Sequence, residues 1–251
     1  MSAPVPRLRM FAGPNGSGKS TILSLVPEPL LGVVVNADEI EKELAQTGAL
    51  DLGALGVHVT QDEATAFFRV SVLLDRAGLL GAAEAICVNG DRLSFEGVPV
   101  NSYLASVAAD MVRRRLLAAR VPFTFETVMS SPDKVDFLAE AQAAGYRTYL
   151  YYVATEAPEI NVSRVEARVA QGGHDVPPDK VVARYARSLG LLLDAVRHTD
   201  RAYIFDNSGA ASVWLAEVTG GTDLEMKAGQ MPSWFRMHVW DRMSPAESSD
   251  G

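Results

Sequence analysis

The chain has 251 residues, a formal net charge of −8 and 48% hydrophobic residues, which is enough for a sizeable core in one large domain. Because duplex nucleic-acid binders are normally basic, the acidic balance argues against nucleic acid as a partner. The single Cys87 excludes an intramolecular disulfide framework, and no stretch has the length of a membrane span or the pattern of a signal peptide. We therefore expect a soluble cytoplasmic protein without membrane partners.

Residues 13–20, GPNGSGKS, fit the phosphate-loop pattern G-x-x-x-x-G-K-[ST] at every required position. Glycines let backbone amides turn inward around phosphate oxygens, a lysine reaches the β- and γ-phosphates, and the serine hydroxyl binds Mg²⁺. A strand predicted over residues 7–12 precedes the loop and a helix follows it, as the motif requires. The nucleotide-binding residues predicted here are Gly13, Pro14, Asn15, Gly16, Ser17, Gly18, Lys19, Ser20 and Thr21, with Ser20 as the metal ligand.

A second buried strand is predicted over residues 32–36, a continuous β-branched run. Asp38 follows it, at the carboxyl edge where ligands bind in open α/β sheets. Two roles are open for this residue. It is either the N-cap of the next helix or a general base that accepts a proton from a substrate hydroxyl, and we favour the base.

The residue pattern between 47 and 120 predicts a loop, two helices and a hairpin. Residues 47–60 are predicted as the loop and residues 60–78 as a helix that starts with a Thr60/Glu63 capping box. Asn89-Gly90 between apolar runs indicates a hairpin. A second helix over residues 102–119 ends in the basic run 113–115, which we expect to be a solvated face.

Three further strands are predicted over residues 121–127, 146–154 and 201–206, with short strands near 213–218 and 223–227. Glu126 lies near the end of the first of these strands, and a carboxylate next to a buried strand needs a partner or a role. Asn207 follows the last, where an adenine contact and a simple turn are both open.

Two basic helices joined by Gly172-Gly173 predict a lid that closes over phosphates. Arg164 and Arg168 share one helix face because they are four residues apart, and such arginines can neutralise a transferring phosphoryl group. The alternative is ordinary surface arginines paired with nearby carboxylates. For His174, a turn hydrogen bond and a substrate contact are equally open.

Taken in order, these stretches resemble the zeta-toxin family of P-loop kinases. The resemblance covers roughly residues 7–46 and 121–210 and rests on residues 11–21, 36–38, 123–127, 172–177, 184–185 and 206–208. It implies an α/β fold of the P-loop NTPase type, a three-layer sandwich with a mostly parallel five-stranded central sheet and a helical lid over residues 158–180. Residues 50–120 then form a helix-hairpin-helix insertion in a single kinase domain of residues 1–251.

Known members of that family phosphorylate a hydroxyl of UDP-N-acetylglucosamine or a related nucleotide sugar with ATP or GTP and Mg²⁺. The resemblance implies Asp38 as base and an antitoxin-like protein as a partner. It implies catalytic roles for Lys19, Arg164 and Arg168, nucleotide contact by Asn207, and acceptor binding by Asn36, Glu126, Thr127, His174 and Arg184. The lid arginines are then Arg164 and Arg168, or one of these two with Arg184. The competing hypothesis is a nucleotide-regulated binding protein whose insertion and lid form a partner surface.

Overall fold

The computed structural model describes residues 4–173 and 175–243. These residues form two compact units. The first unit comprises the described residues up to Leu30 and from Glu126 onward, and the second comprises Leu31–Phe125. The organisation as one domain with an insertion and a lid stays a prediction.

The helices and strands are numbered in chain order. They are β1 (Arg7–Ala12), α1 (Lys19–Leu23), α2 (Glu28–Leu31), β2 (Val33–Val35), α3 (Ala37–Thr47), β3 (Ala49–Asp51), α4 (Gln61–Arg69), α5 (Val72–Arg76), β4 (Cys87–Asn89), β5 (Arg92–Ser94), α6 (Ser102–Ala118), β6 (Phe123–Thr127), α7 (Asp133–Ala143), β7 (Arg147–Ala154), α8 (Pro158–Ala170), α9 (Pro178–Arg197), β8 (Arg201–Asp206), β9 (Val213–Thr219) and β10 (Asp223–Met226). A 3-10 turn covers Leu80–Glu84, and a C-terminal helical segment covers residues 233–243.

The first unit contains five strands in the order β10-β9-β8-β7-β1. Strands β1, β7 and β8 are parallel, and β9 and β10 are antiparallel. One face of this sheet carries Met10, Leu150 and Ile204, which are fully buried. Helix α9 covers that face, since the Tyr152 hydroxyl lies 3.0 Å from Ser188 Oγ. This is the layered arrangement that parallel strands require, because their apolar side chains need helices to cover them.

In the second unit, β2 pairs in parallel with β6, and α3 packs against α6. A separate antiparallel sheet has the order β3-β5-β4, and its β4–β5 turn confirms the predicted hairpin at Asn89-Gly90. The capping box of Thr60 and Glu63 is also present. Strand β3 replaces part of the loop predicted over residues 47–60.

The predicted helix over residues 60–78 is two helices. Helix α4 ends at Arg69, and Ser71 caps α5 by accepting a hydrogen bond from the Leu74 amide at 3.3 Å. A serine hydroxyl that accepts a hydrogen bond from a backbone amide competes with the helical hydrogen bonds. The helix therefore ends before Ser71, although the apolar residues continue at helical spacing.

The basic run 113–115 is not the solvated face that we expected. Arg113 is 5% exposed, its guanidinium lies 4.9 Å from the ring centroid of Phe125, and it pairs with Asp110 at 3.0 Å. Arg115 pairs with Glu63 at 2.7 Å. The guanidinium of an arginine can be buried because its plane stacks on an aromatic ring while its nitrogens meet a carboxylate.

The prediction of an α/β fold with mostly parallel strand pairs is confirmed, with β9 and β10 as two antiparallel additions. In the part of the chain that the structure describes, no helix is both long and apolar enough to cross a bilayer.

Candidate active site

The phosphate loop connects β1 to α1 and is built from glycines for steric reasons. Gly13 has a φ of +141°, and a Cβ on it would lie 2.0 Å from the Val153 carbonyl oxygen. Gly16 has a φ of +74°, and its Cβ would lie 2.6 Å from the Asn161 carbonyl oxygen. Both the left-handed backbone and the close approach of neighbouring chain therefore exclude a side chain at these positions.

Two asparagine amides hold this loop in place. Asn161 of α8 is fully buried, and its Nδ2 donates to the Asn15 carbonyl at 2.6 Å. Its Oδ1 accepts from the Thr155 hydroxyl. Asn207, which follows β8, donates through Nδ2 to the Ser17 carbonyl at 2.8 Å. Because side chains from outside the loop bind its carbonyl groups, the loop amides are free to turn toward an anion.

The polar side chains of the motif lie at the start of α1. Lys19 Nζ donates to the carbonyls of Gly13 at 2.9 Å and Pro14 at 3.0 Å, so its ammonium lies against the loop. The Ser20 hydroxyl donates to Glu126 Oε2 at 2.9 Å, at the end of β6. The neighbouring Thr127 accepts the Met129 amide at 3.0 Å and so forms a turn.

Ser20 and Glu126 fit a magnesium ion by the chemistry of their donors, because Mg²⁺ prefers oxygen ligands. Across the described ranges there is no cluster of three His, Cys, Asp or Glu side chains that could hold a metal. Mg²⁺ at nucleotide sites needs no such cluster, since phosphate oxygens and waters complete its coordination.

The predicted lid arginines lie in two different places. Arg184 of α9 donates through Nη1 to Asn15 Oδ1 at 3.4 Å and thus reaches the phosphate loop. Arg164 of α8 donates to the carbonyls of Asn207 at 2.7 Å and Gly209 at 3.3 Å, so it holds the loop that follows β8. Arg168 is exposed in the last turn of α8, and His174 lies outside the described residues.

Helices α8 and α9 pack through a small apolar cluster of Val165, Val176 and Val181. Tyr185 of α9 donates its hydroxyl to the Thr155 carbonyl at 2.7 Å, and burial raises the pKa of Tyr185 to about 12. The phenol is therefore a proton donor at neutral pH, and it anchors α9 to the segment that follows β7.

Asp38 and Asn36 lie in the second unit, at the start of α3. The N-cap is Asn36, whose side chain accepts from the amides of Asp38 at 2.9 Å and Glu39 at 3.4 Å. The alternative role of Asp38 as N-cap is therefore wrong. Asp38 is exposed in the first turn of the helix.

The segment after β8 forms a turn that also holds the C-terminal helical segment. The buried Asp206 carboxylate accepts from the Ser208 hydroxyl at 2.7 Å and from Trp234 Nε1 at 2.9 Å. The Glu156 carboxylate accepts from the Ser233 amide at 3.1 Å. These contacts connect residues 233–243 to the loop that carries Asn207.

The sequence reasoning missed Asn161. It shares a helix face with Val165, four residues on, which is buried. A polar side chain at an apolar position of an amphipathic helix needs a hydrogen-bond partner, and that signal could have identified it.

The model of the family described as Zeta toxin matches residues 101–219. The matched range contains the end of β6 with Glu126, both helices of the predicted lid and the loop with Asn207. Over this range, which is just under half of the chain, the chain is similar to the zeta-toxin family. The matched range does not include the phosphate loop or Asp38. The loop is assigned from its sequence motif, and the role of Asp38 stays a prediction.

Individual proteins are also similar to this chain. An uncharacterized protein of Haemophilus influenzae is 28% identical over 107 residues, which are 41% of this chain and 76% of that protein. A native crystal structure of the AvrRxo1-ORF1:-ORF2 complex has a TM-score of 0.53 at 15% identity and covers 98% of this chain. A crystal structure of AvrRxo1-ORF1:-ORF2 with ATP has a TM-score of 0.51 at 16% identity and covers 99% of this chain. This chain spans 66% and 67% of those two chains, and at such identities the likeness concerns the fold alone.

Proposed function

We propose that this chain is an ATP-dependent kinase that transfers the γ-phosphoryl group to a hydroxyl of a small molecule, such as UDP-N-acetylglucosamine or a related nucleotide sugar. The observation that carries the proposal is the phosphate loop with Lys19 and with Ser20 placed 2.9 Å from the Glu126 carboxylate. The solved complex with ATP is of similar fold and supports ATP as the donor, with GTP as the alternative.

In the proposed reaction the loop amides and Lys19 hold the β- and γ-phosphates. Mg²⁺ bound at Ser20 would supply charge neutralisation between those phosphates. Asp38 accepts the proton of the acceptor hydroxyl while that oxygen bonds to the γ-phosphorus and ADP leaves. Arg184, with Arg164 and Arg168, neutralises the charge that develops on the transferring group.

The remaining assignments also belong to this proposal. The acceptor is held by Asn36, Glu126, Thr127, His174 and Arg184, and Asn207 contributes to nucleotide binding through the loop that it holds. An antitoxin-like protein is the proposed regulatory partner, since the similar solved structures are complexes of two proteins. The cytoplasm is the proposed location.

The test is transfer of labelled γ-phosphate from ATP with Mg²⁺ into a panel of UDP-sugars and other hydroxyl metabolites. We expect one labelled UDP-sugar, and we expect Asp38→Asn to lower the rate by about 10²–10⁴ because a general base contributes that factor. Asp62→Asn is the matched control, since Asp62 is also exposed in the first turn of a helix of the second unit.

The outcomes separate the parts of the proposal. An unchanged rate in Asp38→Asn would contradict the role of base, and label in another metabolite would replace the acceptor class. Tight ATP binding without any labelled acceptor would contradict the kinase.

A nucleotide-regulated binding protein is the second candidate function. Val70, Val72 and Leu73 are 77%, 62% and 42% exposed at the junction of α4 and α5, within the segment 50–120. Exposed apolar side chains that lie together mark interaction sites. This candidate predicts nucleotide-dependent association with a partner and no phosphoryl transfer.

A further inference from the structure

The sheet of the first unit has a second face whose side chains differ from those that α9 covers. Strands β1, β7 and β8 place three residues side by side in one row, namely Arg9, Tyr149 and Arg201. The next row on the same face contains Phe11, Tyr151 and Tyr203. We name this surface the tyrosine–arginine face, defined by Arg9, Arg147, Tyr149, Tyr151, Tyr203 and Trp214. Its three tyrosines are half-buried, and Trp214 is 41% exposed.

The aromatic rings of this face stand upright on the sheet. Phe11 and Tyr151 are stacked with centroids 4.4 Å apart and planes at 6°, and Tyr203 follows at 4.9 Å from Tyr151. Since neighbouring strands are about 4.8 Å apart, rings stacked at this spacing face each other across the strands and present their edges outward. A platform for nucleobases needs exposed flat faces, so this geometry argues against single-stranded nucleic acid.

Among the described residues, no carboxylate pairs with Arg9 or Arg147 at the cationic side of the face. Glu217 and Glu225 lie on the same face, but they pair with Arg201 and Lys227. Arg9 is 4% exposed, and its Nε and Nη1 atoms have no hydrogen-bond partner. The guanidinium groups of Arg9 and Arg147 lie 5.1 and 5.7 Å from the ring centroid of Tyr149. Arg201 pairs with Glu217 at 2.9 Å, whereas the ion pairs among the described residues involve neither Arg9 nor Arg147.

A buried guanidinium with unmet donors is costly, and a nearby carboxylate reduces that cost. The positive end of this face is unusual in a chain of net charge −8. Tyrosine, tryptophan and arginine are also the residue types that are enriched in the energetic centres of protein interfaces. The charge, the exposed ring edges and the exposed Trp214 therefore describe one surface for an acidic and partly apolar partner.

We propose that the tyrosine–arginine face docks a partner protein through an acidic segment of that partner. A carboxylate of the segment pairs with the exposed Arg147, next to the buried Arg9, and an apolar side chain packs on Trp214.

The arginine end of the docking surface is separate from the candidate active site, whereas Trp214 lies level with Phe205, near the loop that carries Asn207. Arg9 precedes Gly13 by four residues of extended chain, which is about 13 Å, and Arg147 begins β7 at the end opposite to the phosphate loop. The inference therefore does not rest on the proposed kinase activity.

In the first step of the test, the photo-crosslinking amino acid benzoylphenylalanine replaces Trp214 in the full chain. Crosslinking is carried out inside cells that produce this chain. The crosslinked protein is then purified, and its Kd for the unmodified chain is measured by fluorescence anisotropy at low and at high salt. We expect Arg147→Glu to weaken binding at least about tenfold at low salt, because it places a like charge against the acidic segment. We expect affinity to fall as salt rises.

Arg236→Glu is the matched control, because Arg236 is exposed on the C-terminal segment, which packs on the opposite face through Trp234 and Tyr152. This control should keep the affinity within about twofold, since exposed ion pairs contribute little. Trp214→Ala provides a second variant that removes only apolar contact, and thermal melting shows that each variant is folded. Lys19→Ala should keep partner binding, since Lys19 is not one of the residues of the docking surface.

Three results would overturn the inference. One is the absence of any protein crosslink at position 214, or a crosslink to nucleic acid alone. Another is an equal loss of affinity in Arg147→Glu and Arg236→Glu. The third is a Kd that does not change with salt.

Discussion

Asn161 shows how one side chain can link a helix to a loop that binds phosphate. Both ends of its amide are used, by the Asn15 carbonyl at 2.6 Å and by the Thr155 hydroxyl, and the residue is fully buried. Removal of one partner from a buried hydrogen-bonded pair leaves the other unsatisfied, which costs about 1–3 kcal/mol. The Asn15 carbonyl would lose its donor, and the phosphate loop would lose one of its two amide contacts.

We predict that Asn161→Ala weakens binding of Mg²⁺-ATP about tenfold and lowers the free energy of unfolding by about 1–3 kcal/mol. Isothermal titration calorimetry and urea unfolding measure the two effects. Asn89→Ala, at an exposed hairpin position, is the control and should change neither. Unchanged ATP affinity in a destabilised Asn161→Ala protein would restrict this residue to stability alone.

A second prediction at this scale compares two glycines. Gly16→Ala places a Cβ 2.6 Å from the Asn161 carbonyl oxygen at a φ of +74°, whereas Gly190→Ala in α9 meets nothing within 4 Å. We expect Gly16→Ala to abolish measurable ATP binding and to lower the free energy of unfolding by about 1–2 kcal/mol. Gly190→Ala should raise it by about 0.5–1 kcal/mol, because alanine favours the helix. Equal effects of the two changes in chemical unfolding would show that the close packing at Gly16 has no energetic role.

At the scale of elements, the C-terminal helical segment contributes to the site although it lies far along the chain from the phosphate loop. Trp234 is 3% exposed and donates to the buried Asp206 carboxylate, which precedes Asn207. Asn207 in turn holds the Ser17 carbonyl, and Arg164 holds the Asn207 carbonyl. The segment therefore stabilises the loop after β8, and that loop supports the phosphate loop.

We predict that Trp234→Phe lowers the free energy of unfolding by about 1.5–3 kcal/mol, since it removes a hydrogen bond to a charged group. ATP affinity should fall as well, because Asn207 is less well held. Trp240→Phe, in the same segment, is the control: within the described residues its indole makes no hydrogen bond. Thermal melting and ATP titration of both variants provide the comparison, and equal stabilities would be evidence against the Asp206 contact.

The predictions of the elements succeeded where the pattern is local. Helix α6 was predicted over residues 102–119 and covers Ser102–Ala118, because its apolar residues recur at helical spacing. The helix predicted over residues 60–78 failed because Ser71 competes with the helical backbone. The burial of Arg113 could not be predicted from the pattern of α6 alone. It depends on stacking against the ring of Phe125, which belongs to a different element, β6.

At the scale of the whole molecule, two buried tyrosines make stability depend on alkaline pH. Burial raises the pKa of Tyr185 to about 12 and raises the pKa of Tyr152 as well. The unfolded chain releases these protons near pH 10, so the folded protein holds more protons above that pH. The free energy of unfolding is therefore at its full value below about pH 10 and decreases as the pH rises toward 12.

We predict that Tyr185→Phe reduces the slope of stability against pH between about pH 10 and 12. At pH 7 the variant should lose about 1 kcal/mol, because the hydrogen bond to the Thr155 carbonyl is removed. Urea unfolding at pH 7, 10, 11 and 12 tests this, with Tyr103→Phe as an exposed control. An identical slope in Tyr185→Phe and in the unmodified chain would contradict the assignment.

The sequence by itself determined the phosphate loop, the alternation of the main strands and helices around it, and the resemblance to the zeta-toxin family. Those features depend on residue types at fixed spacing and on local backbone preferences. Only the tertiary structure decided that Asn161 and Asn207 hold the loop and that Arg164 binds backbone carbonyls. It also decided that Arg9 is buried and pairs with no carboxylate among the residues that the structure describes. These contacts join residues that are distant in the chain, and no local pattern records which of them meet.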